Sequence, residues 1–376
     1  MRTTARRWIA GLLLVALSLA IAACGGSSDD AAPTAEPSAP ADTPPAVGEP
    51  APADGSAAGG PTIVVTYSVL GSLVSDLVGD AAQVQVLMPN GVDPHDWQPS
   101  AKDVEAVSKA ALVVENGLGL EEGLEDAIHE AEAAGVPVFT ATDHVELRTI
   151  GEGEIAEGHE DEHARGEAPL EGEAPAETGE VHGQEEHEGE TGDAHAEEEH
   201  HDEHAVGADD PHIWTDPATM RAVMAALATE LEQGLGLDLA TRAAELDARL
   251  GELDAEVEEI LSVVPADRRR LVTGHESMGY FARRYGFTLV GALIPSISSQ
   301  AQASAAELAG LKETIEREGA TTIFTEIGTP DQVAETIADE TGARVVELPS
   351  HNLPDDGSYL TFMRDIATRV ADGLAS

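Results

Sequence analysis

The chain has 376 residues and a formal net charge of −51 at pH 7, and its length suits two domains of ordinary size. Because it carries only 20 Lys and Arg, it lacks a basic surface for phosphate, and we expect no nucleic-acid partner. The single cysteine, Cys24, excludes an internal disulfide.

The N-terminal segment has the features of an export signal. Arginines precede an apolar run at 8–22, which has the length of a signal-peptide core and is short for a membrane span. The letters "IAAC" at 21–24 resemble the lipobox of bacterial lipoproteins. We predict a signal peptide at 1–23 and a lipidated Cys24 that anchors the protein to the outer face of the cell membrane. The alternative is a plain signal peptide, with a free thiol left behind.

Residues 24–61 are mainly Gly, Ser, Ala, Pro and Asp and offer almost nothing to bury, so we predict a disordered tether. From Thr62 onward, short apolar runs alternate with amphipathic segments, which predicts parallel sheets flanked by helices. The first α/β lobe is expected at 62–238, with strands near 62–66, 83–88, 111–116 and 136–141.

An insertion at 151–209 interrupts this lobe. It consists mostly of Asp, Glu, Gly and Ala, and we predict that it is disordered because it has too few apolar residues to offset the entropy of ordering. The insertion is an acidic, histidine-rich loop. Its eight histidines, a possible accessory metal-collecting set, are His159, His163, His182, His187, His195, His200, His201 and His204.

A long helix is predicted at 239–264, because apolar residues recur every three or four positions over its whole length. It would join the first lobe to a second α/β lobe at 265–376. The predicted fold class is therefore α/β, with two lobes, each a mainly parallel sheet flanked by helices, joined by one long rigid helix.

Outside the insertion, most of the histidines lie where ligands bind in parallel sheets, in loops near the carboxyl ends of strands. His129 and His144 do not, and we expect both to be exposed. The others could form a tetrahedral metal site of neutral imidazoles, or be unrelated loop residues. These candidates are His95, His212, His275 and His351.

Five phrases, in order, resemble the metal-binding solute-binding proteins of bacterial ABC importers for zinc and manganese. They are "GVDPHDWQPSAKDV", "LVVENGLGLEEGL", "DPHIWTDP", "LVTGHESMGYFARRYGF" and "VVELPSHNLPDDGSYLTFMRDI". The resemblance implies metal ligands at His95, His212 and His275, a monomer, no large lobe closure, and delivery to an ABC permease and its ATPase.

The fourth ligand is where the chain departs from this family, which usually has an Asp after the strand that matches "VVEL". Here the position is occupied by His351, and the alternatives are Asp355, Asp356, Glu326 or a water molecule. An all-nitrogen set favours Zn²⁺ over Mn²⁺, so we expect zinc as the transported ligand, with manganese as the alternative.

Two other classes of function, an enzyme and a surface lipoprotein without a transporter, compete with metal transport. A zinc hydrolase needs an open coordination position and a general base, and "HESMG" at 275–279 lacks the second histidine of the H-E-x-x-H pattern, so we expect no enzyme. A cell-adhesion or zinc-buffering surface lipoprotein stays open. The insertion is interpreted as a solvated spacer, a low-affinity collector of cations, or a zinc sensor.

Overall fold

A computed structural model of the chain describes residues 60–151 and 207–375. The predicted signal peptide, Cys24, nearly all of the tether and the eight histidines of the insertion lie outside the described residues. Among the described helices, none is long and apolar enough to cross a membrane.

The first lobe contains a four-stranded parallel sheet in the order β2-β1-β3-β4. Its helices pack beside the strands, and α4 follows the insertion. The strands are β1 (Thr62–Val65), β2 (Gln83–Val86), β3 (Leu112–Glu115) and β4 (Val138–Thr140), and the helices are α1 (Ser68–Val78), α2 (Ala101–Ser108), α3 (Glu125–Ala133) and α4 (Pro217–Leu235).

The second lobe repeats this arrangement, with a parallel sheet in the order β6-β5-β7-β8. Its strands are β5 (Arg270–Thr273), β6 (Thr288–Ala292), β7 (Thr322–Thr325) and β8 (Arg344–Glu347), and its helices are α6 (Gly279–Tyr285), α7 (Ala305–Glu318), α8 (Asp331–Thr341) and α9 (Tyr359–Ala375). The predicted fold class is confirmed: two lobes of parallel strands flanked by helices.

Local signals explain where several helices begin and end. The side chain of Asp216 accepts a hydrogen bond from the Ala218 N–H at the start of α4, where Pro217 occupies the first turn. Helix α7 begins with a capping box formed by Ser304 and Glu307. Helix α4 is followed by Gly236, whose φ of 67° lies in the left-handed region that glycine adopts without strain.

Helix α5 (Ala240–Leu261) joins the two lobes. It is shorter than the predicted 239–264, and it ends ahead of Pro265, which cannot continue a helix. Its apolar stripe faces α4 and α1 of the first lobe and α9 of the second. The stripe is buried at Leu246, Leu250, Leu253, Val257 and Leu261.

The main hydrophobic core extends across both lobes without interruption. It includes Ile63 of β1, Leu250 of α5 and Ile366 of α9, while a smaller cluster around Val272 and Ile323 fills the outer part of the second lobe. Because close-packed cores resist deformation, this continuity holds the lobes in one relative position.

The two ends of the insertion lie side by side on the first lobe. Thr149 pairs with Asp209 in an isolated antiparallel bridge. The Ile150 N–H donates to the Ala208 carbonyl at 3.0 Å, and the Gly207 N–H donates to the Ile150 carbonyl at 3.0 Å. This stem places both ends of the insertion next to the segment that carries His212.

Candidate metal centre

Four histidines meet where the carboxyl ends of the two sheets face each other. One ring nitrogen from each of them lies within 4.8 Å of those of the other three. The side chains come from both lobes, two from each, and every one is buried. The structure therefore brings together all four histidines singled out from the sequence: His95, His212, His275 and His351.

The two Asp-Pro-His-x-Trp phrases form the same local turn. In each, the aspartate accepts a hydrogen bond from the N–H of the histidine two residues later: Asp93 Oδ1 from His95 at 3.0 Å, and Asp210 Oδ1 from His212 at 2.9 Å. An Asx turn of this kind fixes the backbone conformation of the loop, and with it the direction of the histidine side chain. The repeated phrase thus places two imidazoles at the crevice in the same way.

The second oxygens of these aspartates have different partners. Asp93 Oδ2 accepts a hydrogen bond from Ser299 Oγ of the second lobe at 2.6 Å. Asp210 Oδ2 accepts from Arg148 Nη1 at 2.8 Å, and both of those side chains are buried. The Arg148 N–H in turn donates to the Tyr280 hydroxyl on α6 at 3.0 Å.

Three of the imidazoles have an oxygen partner at Nδ1. His212 Nδ1 lies 2.8 Å from Asp210 Oδ1, His351 Nδ1 lies 2.9 Å from Ser350 Oγ, and His275 Nδ1 lies 3.5 Å from Glu326 Oε2. A partner at Nδ1 fixes the ring orientation and leaves Nε2 available as a ligand.

The Nε2 atoms have the separation of ligands around one ion. His212 Nε2 lies 3.4 Å from His95 Nε2 and 3.2 Å from His275 Nε2. A tetrahedron of nitrogens around Zn²⁺, with bonds of 2.0–2.1 Å, has edges of about 3.3 Å. The buried Nε2 of His351 has no hydrogen-bond partner among the described residues, as expected of an atom that faces a ligand.

The residues predicted as alternatives to His351 for the fourth ligand lie outside the four-histidine cluster. Asp355 and Asp356 are exposed and outside the cluster. Glu326 is buried behind the histidines, where the hydroxyls of Ser277 and Ser350 donate to its carboxylate at distances of 2.6–2.7 Å. Its place is therefore beside the ring of His275 and not among the converging nitrogens.

Burial sets the charge of the cluster. It lowers the pKa of His95, lowers those of His212 and His275 well below their ordinary value, and lowers that of His351 to about 4. All four imidazoles are consequently neutral at pH 7, the form that binds a metal ion. Burial also raises the pKa of Glu326.

Trp214 closes the cluster on the side of the first lobe. It is fully buried, and its ring centroid lies 5.2 Å from that of His212 and 5.4 Å from that of His351. Trp97 of the other phrase is only partly buried and packs against the main core. Of the two tryptophans in the repeated phrase, Trp214 is therefore the one that covers the histidines.

His129 and His144 are exposed, as predicted, and lie outside the cluster. His144 stacks on Phe139 with ring centroids 4.4 Å apart. The eight histidines of the insertion lie outside the described residues.

Comparison with known proteins decides the family. Residues 63–373 match the model of the family described as "ZnuA: Zinc-uptake complex component A periplasmic". The chain belongs to the ZnuA family. This family supplies metal-binding receptors for transport and not enzymes, in agreement with the sequence prediction.

Several members of the ZnuA family resemble the chain over most of its length. The zinc-binding protein TroA of Treponema pallidum is 26% identical over 295 residues, covering 77% of this chain and 78% of its own. The high-affinity zinc uptake system protein ZnuA of Bacillus subtilis is 26% identical over 322 residues, covering 83% and 87%.

Solved structures share the fold. The periplasmic zinc-binding protein TroA from Treponema pallidum superposes with a TM-score of 0.61 at 23% identity, covering 85% of this chain and all of its own. A Mn-bound periplasmic metal-binding protein from Candidatus Liberibacter asiaticus has a TM-score of 0.59 at 19% identity, covering 84% and 99%. Both show the two-lobed ZnuA fold.

Several residues around the four-histidine cluster are not identified by the sequence analysis. Ser277 and Ser350 lie within two residues of a candidate histidine, which is a weak signal at best. Arg148 is a basic residue just before a strongly acidic insertion, and its isolation among acidic residues is a signal by which it could have been found. Its pairing with Asp210 across the insertion depends on the fold.

Proposed function

We propose that the protein captures Zn²⁺ outside the cytoplasm and delivers it to an ABC permease and its ATPase. The proposed ligands are His95, His212, His275 and His351. The observation that carries the proposal is the convergence of four buried, neutral imidazoles with Nε2 separations of 3.2 and 3.4 Å.

The donor set supports zinc over manganese. Mn²⁺ is best held by carboxylate and water oxygens, whereas imidazole nitrogens suit Zn²⁺. Four protein ligands also complete a tetrahedral site and leave no coordination position for an activated water. This supports a carrier of the ion and argues against a hydrolase. The membership of zinc-binding proteins in the same family supports the same metal.

We also propose a cellular location for the protein. A lipidated Cys24 would anchor the protein to the outer face of the membrane, and residues 24–61 would tether the metal-binding lobes near the permease. The insertion would collect cations at low affinity, since its carboxylates and imidazoles attract divalent ions. Its stem adjoins His212, so ions gathered there would be close to the centre.

The test of the metal centre is a set of four alanine variants. Protein purified without a tag should contain about one tightly held Zn²⁺ per chain, measured by elemental analysis and competition with a chelator. His95→Ala, His212→Ala, His275→Ala and His351→Ala should each lose affinity by roughly a hundredfold or more. A His351→Ala variant that binds zinc as the wild type does would remove His351 from the site.

Delivery is tested separately from binding. Genes for a permease and an ATPase beside this one, and zinc-dependent growth that requires the chain, would support transport. A surface adhesin or zinc buffer would bind zinc equally well but would leave growth in low zinc unchanged when deleted. A Cys24→Ala variant released from the membrane fraction would support the lipid anchor.

A further inference from the structure

The segment that carries His351 belongs to the second lobe by sequence but is attached largely to the first. It runs over residues 349–358, from just after β8 to the start of α9. We call it the His351 segment. Its contact with its own lobe includes a 2.6 Å hydrogen bond from Ser350 Oγ to Glu326 Oε2.

Asn90 makes the principal contact with this segment. Its side-chain Nδ2 donates to the Leu353 carbonyl at 2.7 Å, and its Oδ1 accepts from the Leu353 N–H at 2.7 Å. One amide side chain thus satisfies both polar groups of one residue of the segment, as a neighbouring strand would. We call this pair of hydrogen bonds the Asn90 clamp.

Further contacts with the first lobe lie at both ends of the segment. Trp214 Nε1 donates to the Ser350 carbonyl at 2.8 Å. Ser72 Oγ donates to the Gly357 carbonyl at 2.8 Å and accepts from the Tyr359 N–H at 3.1 Å. The first lobe therefore holds the segment before and after Leu353.

The clamp also connects two ligand-bearing segments. Asn90 precedes His95 by five residues, and Leu353 follows His351 by two. Asn90 is exposed, whereas His351 and Leu353 are buried, and Leu353 belongs to the main core. Both hydrogen bonds of the clamp are made by the exposed Asn90 side chain, so they can break by rotation of that side chain while Leu353 stays in the core. A hydrogen bond contributes a modest net free energy, so such an opening is accessible to the folded protein.

We propose that Asn90 is a positioning residue that holds His351 at the metal centre through Leu353, and that opening of the Asn90 clamp sets the rate at which zinc dissociates. The inference rests on the proposed function, because it concerns the same four-histidine site. Asn90, which is not among the four proposed ligands, would thereby control the residence time of the metal.

The experiment measures zinc dissociation into excess chelator by stopped flow. Asn90→Ala removes both hydrogen bonds, and Asn90→Asp keeps the size but replaces the donor to the Leu353 carbonyl by an oxygen. Each should accelerate dissociation about tenfold. The matched control is Ser75→Ala in α1, because among the described residues the hydrogen bond of Ser75 Oγ is to the Gly71 carbonyl of its own helix, at 2.6 Å. It should release zinc at the wild-type rate.

A double-mutant cycle shows whether Asn90 acts through His351. In a His351→Ala background, adding Asn90→Ala should cause no further acceleration of zinc dissociation. The visible spectrum of bound Co²⁺ should also be the same in the single His351→Ala variant and in the double variant. Equal acceleration in both backgrounds would mean that Asn90 acts through the His95 loop, and it would overturn the proposal.

Different results would refute the four-histidine zinc site and the role of the Asn90 clamp. Wild-type protein that does not retain Zn²⁺ through dialysis would refute the proposed function before any variant is made. Wild-type protein that retains zinc, with Asn90→Ala and Asn90→Asp both folded by circular dichroism and both releasing it at the wild-type rate, would refute only the role of the Asn90 clamp.

Discussion

At the scale of single residues, Asp210 is the carboxylate most closely coupled to the candidate ligands. It accepts the His212 N–H, lies 2.8 Å from His212 Nδ1, and contacts the Arg148 guanidinium. Burial raises the pKa of Asp210 to about 6, against the opposing effect of Arg148, so the group is ionised at neutral pH. An ionised partner at Nδ1 makes the imidazole a better donor to a metal.

Replacing Asp210 by Asn should therefore weaken zinc binding about ten- to a hundredfold. The amide keeps the shape and can still accept from His212 Nδ1, but it removes the negative charge. Competition with a chelator of known affinity measures the loss. Asp209→Asn is the matched control, because Asp209 is an exposed neighbour that contacts Thr149. Equal affinities for Asp210→Asn and wild type would contradict the role.

His351 is the residue at which the choice of metal is expected to change. Its replacement by Asp would exchange an imidazole for a carboxylate oxygen, which manganese favours. His351→Asp should lower the ratio of zinc to manganese affinity by at least about tenfold, measured by calorimetric competition between the two ions. Asn352→Asp adds the same charge at an exposed neighbour and should leave the ratio unchanged. The same drop in both variants would indicate a general charge effect.

At the scale of elements, α5 packs against helices of both lobes. Besides its buried stripe, it forms ion pairs with helices of both: Arg249 with Asp76 of α1, Asp254 with Arg284 of α6, and Glu256 with Arg364 of α9. These pairs are largely at the surface, where each contributes little. The apolar stripe therefore provides most of the rigidity, and the pairs specify which helices lie beside it.

Gly251 is a point in α5 where stability can be gained. Glycine in a helix interior costs about 0.5–1 kcal/mol relative to alanine. The nearest atoms to a Cβ at Gly251 would be those of the Arg221 guanidinium, at 3.5 Å or more, which is ordinary contact. Gly251→Ala should raise the free energy of unfolding of the metal-free protein by about 0.5–1 kcal/mol, measured in denaturant.

The contrasting substitution is Gly373→Ala in α9. There a Cβ would lie 2.8 Å from carbons of the Phe324 ring. Such overpacking typically lowers the free energy of unfolding by about 1–3 kcal/mol, which the same denaturant measurement would detect.

Zinc dissociation should be unchanged in Gly251→Ala if α5 acts as a rigid connection. A changed dissociation rate would show that α5 bends when the ion is released.

Much of this arrangement is predictable from local pattern. The alternation of strands and helices follows from apolar periodicity, and the four histidines follow from their positions near strand ends or at the start of a helix. The residues that hydrogen-bond to those histidines and their loops are harder to predict from the sequence. The pairings of Asp210 with Arg148 and of Asn90 with Leu353 join residues 62 and 263 positions apart. Such contacts depend on how the lobes pack, and no local spacing encodes them.

At the scale of the whole molecule, the proposed site takes two ligands from each lobe. Bound zinc should therefore stabilise the protein as one cooperative unit. With free zinc at a thousand times the dissociation constant, the gain is about 4 kcal/mol, and a chelator should reverse it. Thermal unfolding with and without zinc measures the effect. Two separate transitions, of which only one responds to zinc, would contradict a site shared between the lobes.

The insertion can be separated from the site because its ends are adjacent. Ile150 is hydrogen-bonded to Ala208 and Gly207 in the stem, so a short Gly-Ser link can replace residues 152–206 without moving His212. The deletion variant should keep one tightly bound zinc while losing the weakly bound ions, as measured by calorimetric stoichiometry.

Shortening the connection should also raise the free energy of unfolding, by about 2 kcal/mol or less, because closing a shorter loop costs less entropy. A link of equal length that contains no His, Asp or Glu is the matched control: it should lose the weakly bound ions and leave the unfolding free energy closer to that of the wild type. Loss of tight binding in both variants would place a ligand of the primary site within the insertion. That result would conflict with a centre completed by His351, because a tetrahedral ion already has four protein ligands.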